Sequence, residues 1–227
     1  MRELVYVPVI HLEADLGNIA TVINKRSIEV CGERRWKKHK QTVALFWDSI
    51  SNFFSSIEAT NIKIYQDGLM ASGKLGRKIV EEGARRGSKN YELVLDLVKR
   101  GGEIRKTEDV DLLRQEYEET IKLAQTKSVF EKSLAYIGYK LHKSQLMKKR
   151  DEFIAKNINE TLRERETGVL FIGAYHDVIP LLSKDIIVKK VKSQEKIKEY
   201  FKELTYGRDQ EKFDKLAKYL ASPIQNL

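Results

Sequence analysis

Residues 169–176 have the sequence VLFIGAYH, and residues 4–11 have the sequence LVYVPVIH. Both stretches are runs of apolar residues rich in β-branched and aromatic side chains. This pattern is typical of strands that are buried on both faces of a parallel sheet. Each run ends in a histidine, so we expect His11 and His176 just beyond the carboxyl ends of two strands. Ligands bind at that edge of an open α/β sheet, because the loops converge there.

Three shorter candidate strands, at residues 62–65, 103–106 and 186–191, bring the expected number to about five. Stretches with helical periodicity separate these strands. The alternation favours an α/β fold with a central, mainly parallel sheet flanked by many helices. No Gly/Ser-rich or Pro-rich linker divides the 227 residues, so we expect a single α/β domain with a helical elaboration over about residues 110–165.

The composition narrows the classes of function. The chain has 42 Lys and Arg residues against 33 Asp and Glu residues, a formal net charge of +9. This excess permits nucleic-acid binding through the basic stretches 34–40 and 85–89, but a solvated helix surface has the same composition. A single cysteine excludes an internal disulfide and a multi-cysteine zinc site.

The sequence also bears on location. No stretch approaches the roughly 20 apolar residues of a membrane span. The N-terminus has no charged region followed by a long apolar run and a cleavage site. We therefore expect no membrane partner and a cytoplasmic location.

The surroundings of the two histidines suggest chemistry. His176 follows Gly173 and an alanine, small residues that allow a tight turn and the close approach of a ligand. His11 is followed by Glu13 and Asp15, whose carboxylates could orient the imidazole or cap the next helix. The structural alternative for His176 is a core histidine bonded to a carbonyl group. His39 lies in a lysine-rich helical stretch, which predicts a position on the surface.

Arg150 is the third candidate. On a helix it shares a face with Ile154 and with Asn157 or Ile158, so it could point inward from an apolar stripe. An inward guanidinium suits a carboxylate, a phosphate or an oxyanion. The alternative, which the sequence alone favours, is an arginine paired with a helix neighbour on a wet face.

The chain resembles the TraB/TIKI and erythromycin-esterase-like superfamily in three short motifs. These are PVIH at residues 8–11, RDEFIAKN at 150–157 and GAYH at 173–176. They match the superfamily's histidine after the first strand, its Arg-Asp/Asn helix motif and its late Gly-x-x-His strand end. The resemblance covers both ends of the chain, and the middle is not recognisable.

The chain departs from the superfamily in two places. Pro8 stands where the first motif usually has glycine. The superfamily has a glutamate at the end of its second strand, where this chain has Asp67. That aspartate could replace the glutamate, or form only a turn with Gly68. Glu108 and Asp109 are another candidate acid pair, or caps of the next helix.

The resemblance implies a hydrolase that acts on a small molecule or a peptide. His176 and His11 would act as base and acid in the attack of water, or would be ligands of a divalent metal ion, and Asp67 or Glu13 would orient a histidine or the water. Arg150 would bind an anionic group of the substrate or the developing oxyanion. Whether a metal cofactor is bound stays open.

Two alternatives to the hydrolase remain, the first suggested by the net charge of +9 and the second by the missing second-strand glutamate. One is a basic nucleic-acid-binding protein, and the other is a helix-rich interaction protein on an inactive enzyme scaffold. An aromatic stripe at residues 130–141 could be core or the surface of a homo-oligomer.

Overall fold

The structure, a computed structural model, describes residues 1–12, 14–15, 20–125 and 129–225. Its centre is a five-stranded sheet of β1 (Arg2–Val9), β2 (Ile62–Gln66), β3 (Glu103–Arg105), β4 (Thr167–Gly173) and β5 (Ile186–Lys190). The order across the sheet is β3-β2-β4-β1-β5, and every neighbouring pair is parallel. The prediction of an α/β fold with about five mainly parallel strands is confirmed.

Eight α-helices surround the sheet in the described part of the chain. They are α1 (Ala20–Cys31), α2 (Glu33–Ser55), α3 (Gly73–Arg85), α4 (Lys89–Lys99), α5 (Val110–Gln125), α6 (Val129–Thr161), α7 (Gln194–Tyr206) and α8 (Gln210–Ala221). Helices α5 and α6 pack against each other and occupy the range predicted for the helical elaboration. None of the described helices is long and apolar enough to cross a membrane.

Alternation along the strands divides the core into two layers, one on each face of the sheet. Leu4 and Tyr6 of β1 pack with Ile154 and Ile158 of α6 on one face. The intervening residues of β1 pack on the other face with side chains from α2, α4, α7 and α8. Both faces of the central strands are therefore covered, which explains why their sequences are continuously apolar.

The strand order creates a crevice at the carboxyl edge of the sheet. The chain leaves β2 towards β3 and leaves the neighbouring strand β4 in the opposite direction, towards β5. Such a reversal opens a gap between the two connections, and ligands bind there in open α/β folds. Asp67 follows β2 directly and His176 follows β4, so both residues lie at this crevice.

Candidate active site

A tight turn brings His176 back over the end of β4. Its backbone N–H donates to the Gly173 carbonyl at 3.1 Å. The buried side chain of Gln194 stabilises this turn. Its Nε2 donates to the His176 carbonyl at 3.0 Å and to the Tyr6 hydroxyl of β1 at 2.6 Å. The His176 residue is 5% exposed. Its imidazole is therefore fixed rather than free to rotate.

Asp151 orients this imidazole. Its Oδ1 lies 2.5 Å from His176 Nδ1, and its Oδ2 accepts the backbone N–H of Asp177 at 2.9 Å. A carboxylate at Nδ1 keeps the proton on that nitrogen, which leaves Nε2 as the basic atom. Burial lowers the pKa of His176, but the bond to Asp151 and the charge of Asp67 outweigh it, so the pKa lies above its ordinary value.

Asp67 stands on the other side of the same imidazole. Its Oδ2 is 3.7 Å from His176 Nε2, which is beyond a direct hydrogen bond. The same oxygen accepts the Gly173 N–H at 3.2 Å, and Oδ1 accepts Arg150 Nη2 at 2.8 Å. Burial raises the pKa of Asp67, but the charges of His176 and Arg150 and the bond from Gly173 lower it overall. The carboxylate is thus held ionised beside the histidine.

Arg150 points inward from α6. Its partners lie on other elements of the fold, not on a solvent-exposed face of its own helix. It is 6% exposed and binds three carboxylates. Its Nε and Nη2 contact Glu108 at 3.1 and 2.5 Å, its Nη1 contacts Glu116 at 2.7 Å, and its Nη2 contacts Asp67. Four of its five N–H donors are used in these bonds. In this arrangement the guanidinium mainly positions acidic groups.

Glu108 is fully buried beneath this network. Burial raises its pKa to about 7, although the bond and the charge of Arg150 oppose the shift, and the negative charge of Asp67 adds to it. The neighbouring Asp109 has a different role, because its Oδ1 accepts the N–H groups of Asp111 and Leu112 and caps α5. The candidate acid pair therefore splits into one buried acid and one helix cap.

His11 lies at the rim of the crevice, where its side chain is 59% exposed. Trp47 of α2 holds the loop by donating to the carbonyl of the preceding Ile10 at 2.9 Å. Asp15 lies 3.7 Å from the imidazole Nδ1, and this contact raises the pKa of His11. Glu13, the other predicted acid, lies outside the described residues.

Two clefts adjoin at His11 and Asp67, which line both of them. We call the first, of about 590 Å³, the aromatic cleft. Its wall includes His176, Arg150 and the four aromatic residues Trp36, His39, Tyr175 and Phe201. Four of the five predicted site residues, His11, His176, Asp67 and Arg150, thus surround one cavity.

The prediction for His39 was wrong. This residue is buried, its Nδ1 lies 3.0 Å from the Tyr200 hydroxyl, and its ring stacks on Trp36. Burial lowers its pKa to about 4, so it stays neutral at ordinary pH. The lysines around it occupy the outer face of α2, and one histidine in that basic run turns inward.

Sequence reasoning assigned no role to Asp151 or Glu116, and it left Glu108 as half of a candidate acid pair or a helix cap. Asp151 was visible only as the second residue of the Arg-Asp motif, and Glu108 only as half of an acid pair. Glu116 gave no signal, because its contact to Arg150 spans 34 residues and joins two helices.

The basic stretches predicted for nucleic acid contain several ion pairs. Lys38 contacts Asp214 at 2.5 Å, and Lys89 contacts Glu92 at 2.7 Å. Arg86 contacts Glu82 at 3.2 Å. Nucleic-acid binding stays a prediction, but part of the positive charge behind it is neutralised locally.

The described residues contain no group of three or more His, Cys, Asp and Glu side chains arranged to hold a metal ion. For His176 and Asp67, existing hydrogen bonds explain why the two side chains are not arranged around a metal ion. Asp151 is hydrogen-bonded to Nδ1 of His176, and Arg150 and the Gly173 N–H donate to the two oxygens of Asp67.

Comparison of the chain with family models, curated proteins and solved structures finds no match. The superfamily resemblance therefore stays a hypothesis that rests on the three motifs. What the fold and the site define is an open parallel α/β protein with a His–Asp pair at the carboxyl edge of its sheet.

Proposed function

We propose that the protein is a hydrolase in which His176 acts as the general base on water. One observation carries this proposal: His176 is buried at a cleft, Asp151 occupies its Nδ1 at 2.5 Å, and Asp67 is held 3.7 Å from its Nε2. A histidine oriented in this way, beside an ionised acid, is the usual arrangement for proton transfer from water.

The proposed reaction gives each of these groups a role. Nε2 of His176 takes a proton from water as the water oxygen attacks the substrate carbonyl, and Asp151 stabilises the imidazolium that forms. The tetrahedral intermediate then collapses, the bond from its carbon to the leaving-group oxygen breaks, and that oxygen gains a proton from protonated His11 at the rim. His176 afterwards releases its proton to solvent and His11 takes one up, which restores both residues. Asp67 orients the water and the base, and Arg150 and Glu108 keep Asp67 in place. Direct binding of an oxyanion by Arg150 stays a prediction.

Turnover of chromogenic esters with acyl chains of two to eight carbons tests the proposal. We expect hydrolysis of p-nitrophenyl butyrate or hexanoate that depends on His176. No hydrolysis of any member of an ester and amide panel, by a folded and monodisperse sample, would contradict it.

The pH profile provides a specific prediction. The base works only when neutral, so kcat/KM should rise with pH through a pKa above 6.5, because the pKa of His176 is raised. Asp151→Asn removes the negative charge beside Nδ1, even if its amide oxygen still accepts a hydrogen bond there, and should move this pKa downward while lowering the plateau. Asp177→Asn is the matched control, since this exposed neighbour is not among the groups that shift His176. A profile that is the same in all three proteins would contradict the assignment.

The His11→Gln variant tests whether His11 donates the proton to the leaving group, independently of the base His176. A leaving group as stable as p-nitrophenoxide needs no proton, so hydrolysis of the p-nitrophenyl ester should change little. An alkyl ester with the same acyl group should lose about 100-fold in kcat, because its alkoxide must be protonated. Equal losses on both esters, measured side by side, would remove His11 from the proton-donating role.

A further inference from the structure

The aromatic cleft extends beyond the groups that the proposed mechanism uses. Helices α1 and α7 pack against each other, and each presents one face to this cleft. Residues at positions i, i+3 and i+4 share a face of a helix, so three such residues form a continuous strip. We call the two strips together the α1–α7 wall. They consist of Ser27, Val30 and Cys31 on α1, and Phe201, Leu204 and Thr205 on α7.

The α1–α7 wall is mainly apolar. Leu204 and Phe201 pack against the core, whereas Val30 is 54% exposed. The Thr205 hydroxyl donates to the Phe201 carbonyl at 2.9 Å, and burial raises the pKa of the Cys31 thiol, which stays uncharged at ordinary pH. An apolar ligand group against this wall would take its own surface and that of Val30 out of water, which is favourable.

Among the described residues, the charged side chains of the aromatic cleft belong to the reaction centre, with one exception. Four of them are groups of the mechanism, and Glu116 is bonded to Arg150 at 2.7 Å. The exception, Arg26 of α1, is exposed to solvent. On the α1–α7 wall a cation would lose its hydration without gaining a carboxylate, and an anion would meet only this solvated arginine. An uncharged apolar group is therefore favoured there.

The positions of the base and the acid give the direction of the substrate. His176 lines the aromatic cleft but not the second cleft, of about 740 Å³, whereas His11 and Asp67 line both. The carbonyl carbon that water attacks must lie beside His176, and the leaving-group oxygen must lie beside His11. The acyl group thus begins inside the aromatic cleft, and the alcohol leaves past His11 towards the second cleft.

We propose that the aromatic cleft is an acyl-binding site, so that the substrates are esters of an apolar acid whose chain lies against the α1–α7 wall. The acyl assignment rests on the proposed function, whereas the affinity of the wall for an apolar group does not. Hydrolysis adds water across the ester bond, so the products are the carboxylate of the apolar acid, a proton and the alcohol. The alcohol does not contact the wall, and the apolar group of a good substrate is therefore on the acyl side of the ester bond.

Two isomeric esters test this direction. Glyceryl monohexanoate carries its apolar chain on the acyl side, and hexyl glycerate carries a six-carbon chain on the alcohol side. The kcat/KM of each ester is divided by its rate constant for hydrolysis by hydroxide, because the two carbonyl groups differ in intrinsic reactivity. We expect the hexanoate to be preferred at least about tenfold, since burial of each methylene group strengthens binding roughly fourfold.

Val30→Asp should reduce the preference for a long acyl chain, because it places a carboxylate on the α1–α7 wall at an exposed position. The measured quantity is the ratio of kcat/KM for p-nitrophenyl hexanoate to that for p-nitrophenyl acetate, which should fall about tenfold. Ile28→Asp is the matched control and should keep the ratio, since this exposed apolar residue of the same helix does not line the cleft. Thr205→Asp provides the same test from α7 if Val30→Asp does not fold.

Binding of 2-octanone, which cannot be hydrolysed, tests the wall without turnover. In NMR titrations its affinity should fall about tenfold in Val30→Asp, because the chain then meets a carboxylate. The affinity of Ile28→Asp should equal that of the wild type.

Three results would overturn the proposal: hexyl glycerate hydrolysed as well as its isomer, an unchanged hexanoate-to-acetate ratio in both wall variants, or 2-octanone bound equally by those variants and the wild type. The first two leave the hydrolase and remove the acyl site, because esters are still hydrolysed. A failure of the proposed function looks different. In that case no ester is hydrolysed and the acyl assignment fails with it, but 2-octanone binds and loses affinity in Val30→Asp.

Discussion

The His176→Asn variant is expected to lose about 100- to 10,000-fold in kcat/KM on any ester that the protein hydrolyses, the range for removal of a positioned general base. The amide has no nitrogen that can accept the proton from water. Asp151 and Asp67 remain, but both carboxyls are engaged with other groups and neither can replace Nε2.

Asparagine is chosen because its Nδ2 can take the place of imidazole Nδ1 and donate to Asp151. The buried carboxylate therefore keeps a partner, and the loss of rate is not caused by unfolding. Thermal unfolding and circular dichroism should remain close to those of the wild type. Retention of more than a tenth of the wild-type kcat/KM in a folded variant would exclude His176 as the base.

The elements that the sequence predicts well are those with local patterns. The continuous apolar runs of β1 and β4 indicate two-sided burial, and a histidine after each run is enough to place both imidazoles at one edge of the sheet. Both line the aromatic cleft. The ambiguity of Asp67 could be resolved only in three dimensions, because its partners Arg150 and His176 are 83 and 109 residues away along the chain.

The acidic network around Arg150 was largely invisible for the same reason. Helical periodicity gives the face on which Arg150 lies, but not whether that face meets solvent or three carboxylates. Glu108 precedes α5 and is separated from Arg150 by 42 residues, so no spacing rule connects them. For His39 the local composition gave the wrong prediction. The surrounding lysines indicated a position on the surface, but His39 is buried against Tyr200.

Arg150→Met should have the largest effect on stability. The guanidinium is the shared partner of Asp67, Glu108 and Glu116, and its removal leaves the fully buried carboxylate of Glu108 without its cation. Breaking a buried ion pair from one side typically costs about 3–5 kcal/mol. Urea unfolding at pH 8 should show a loss of that size. Arg114→Met is the control, because this exposed arginine of α5 pairs with the exposed acids Asp111 and Glu118, and the change should alter stability by less than about 0.5 kcal/mol.

The dependence on pH identifies the cause of this loss. The pKa of Glu108 is about 7 in the folded protein, above its ordinary value of 4.5, so the folded state binds more protons between these values and Glu108 lowers stability as pH rises through them. Without Arg150, which lowers this pKa, the window extends upward, and the deficit should be larger at pH 8 than at pH 5. Adding Glu108→Gln to Arg150→Met should recover part of the loss at pH 8. An equal deficit at both values, with no recovery in the double variant, would mean that Arg150 stabilises the fold through packing of its side chain rather than through charge.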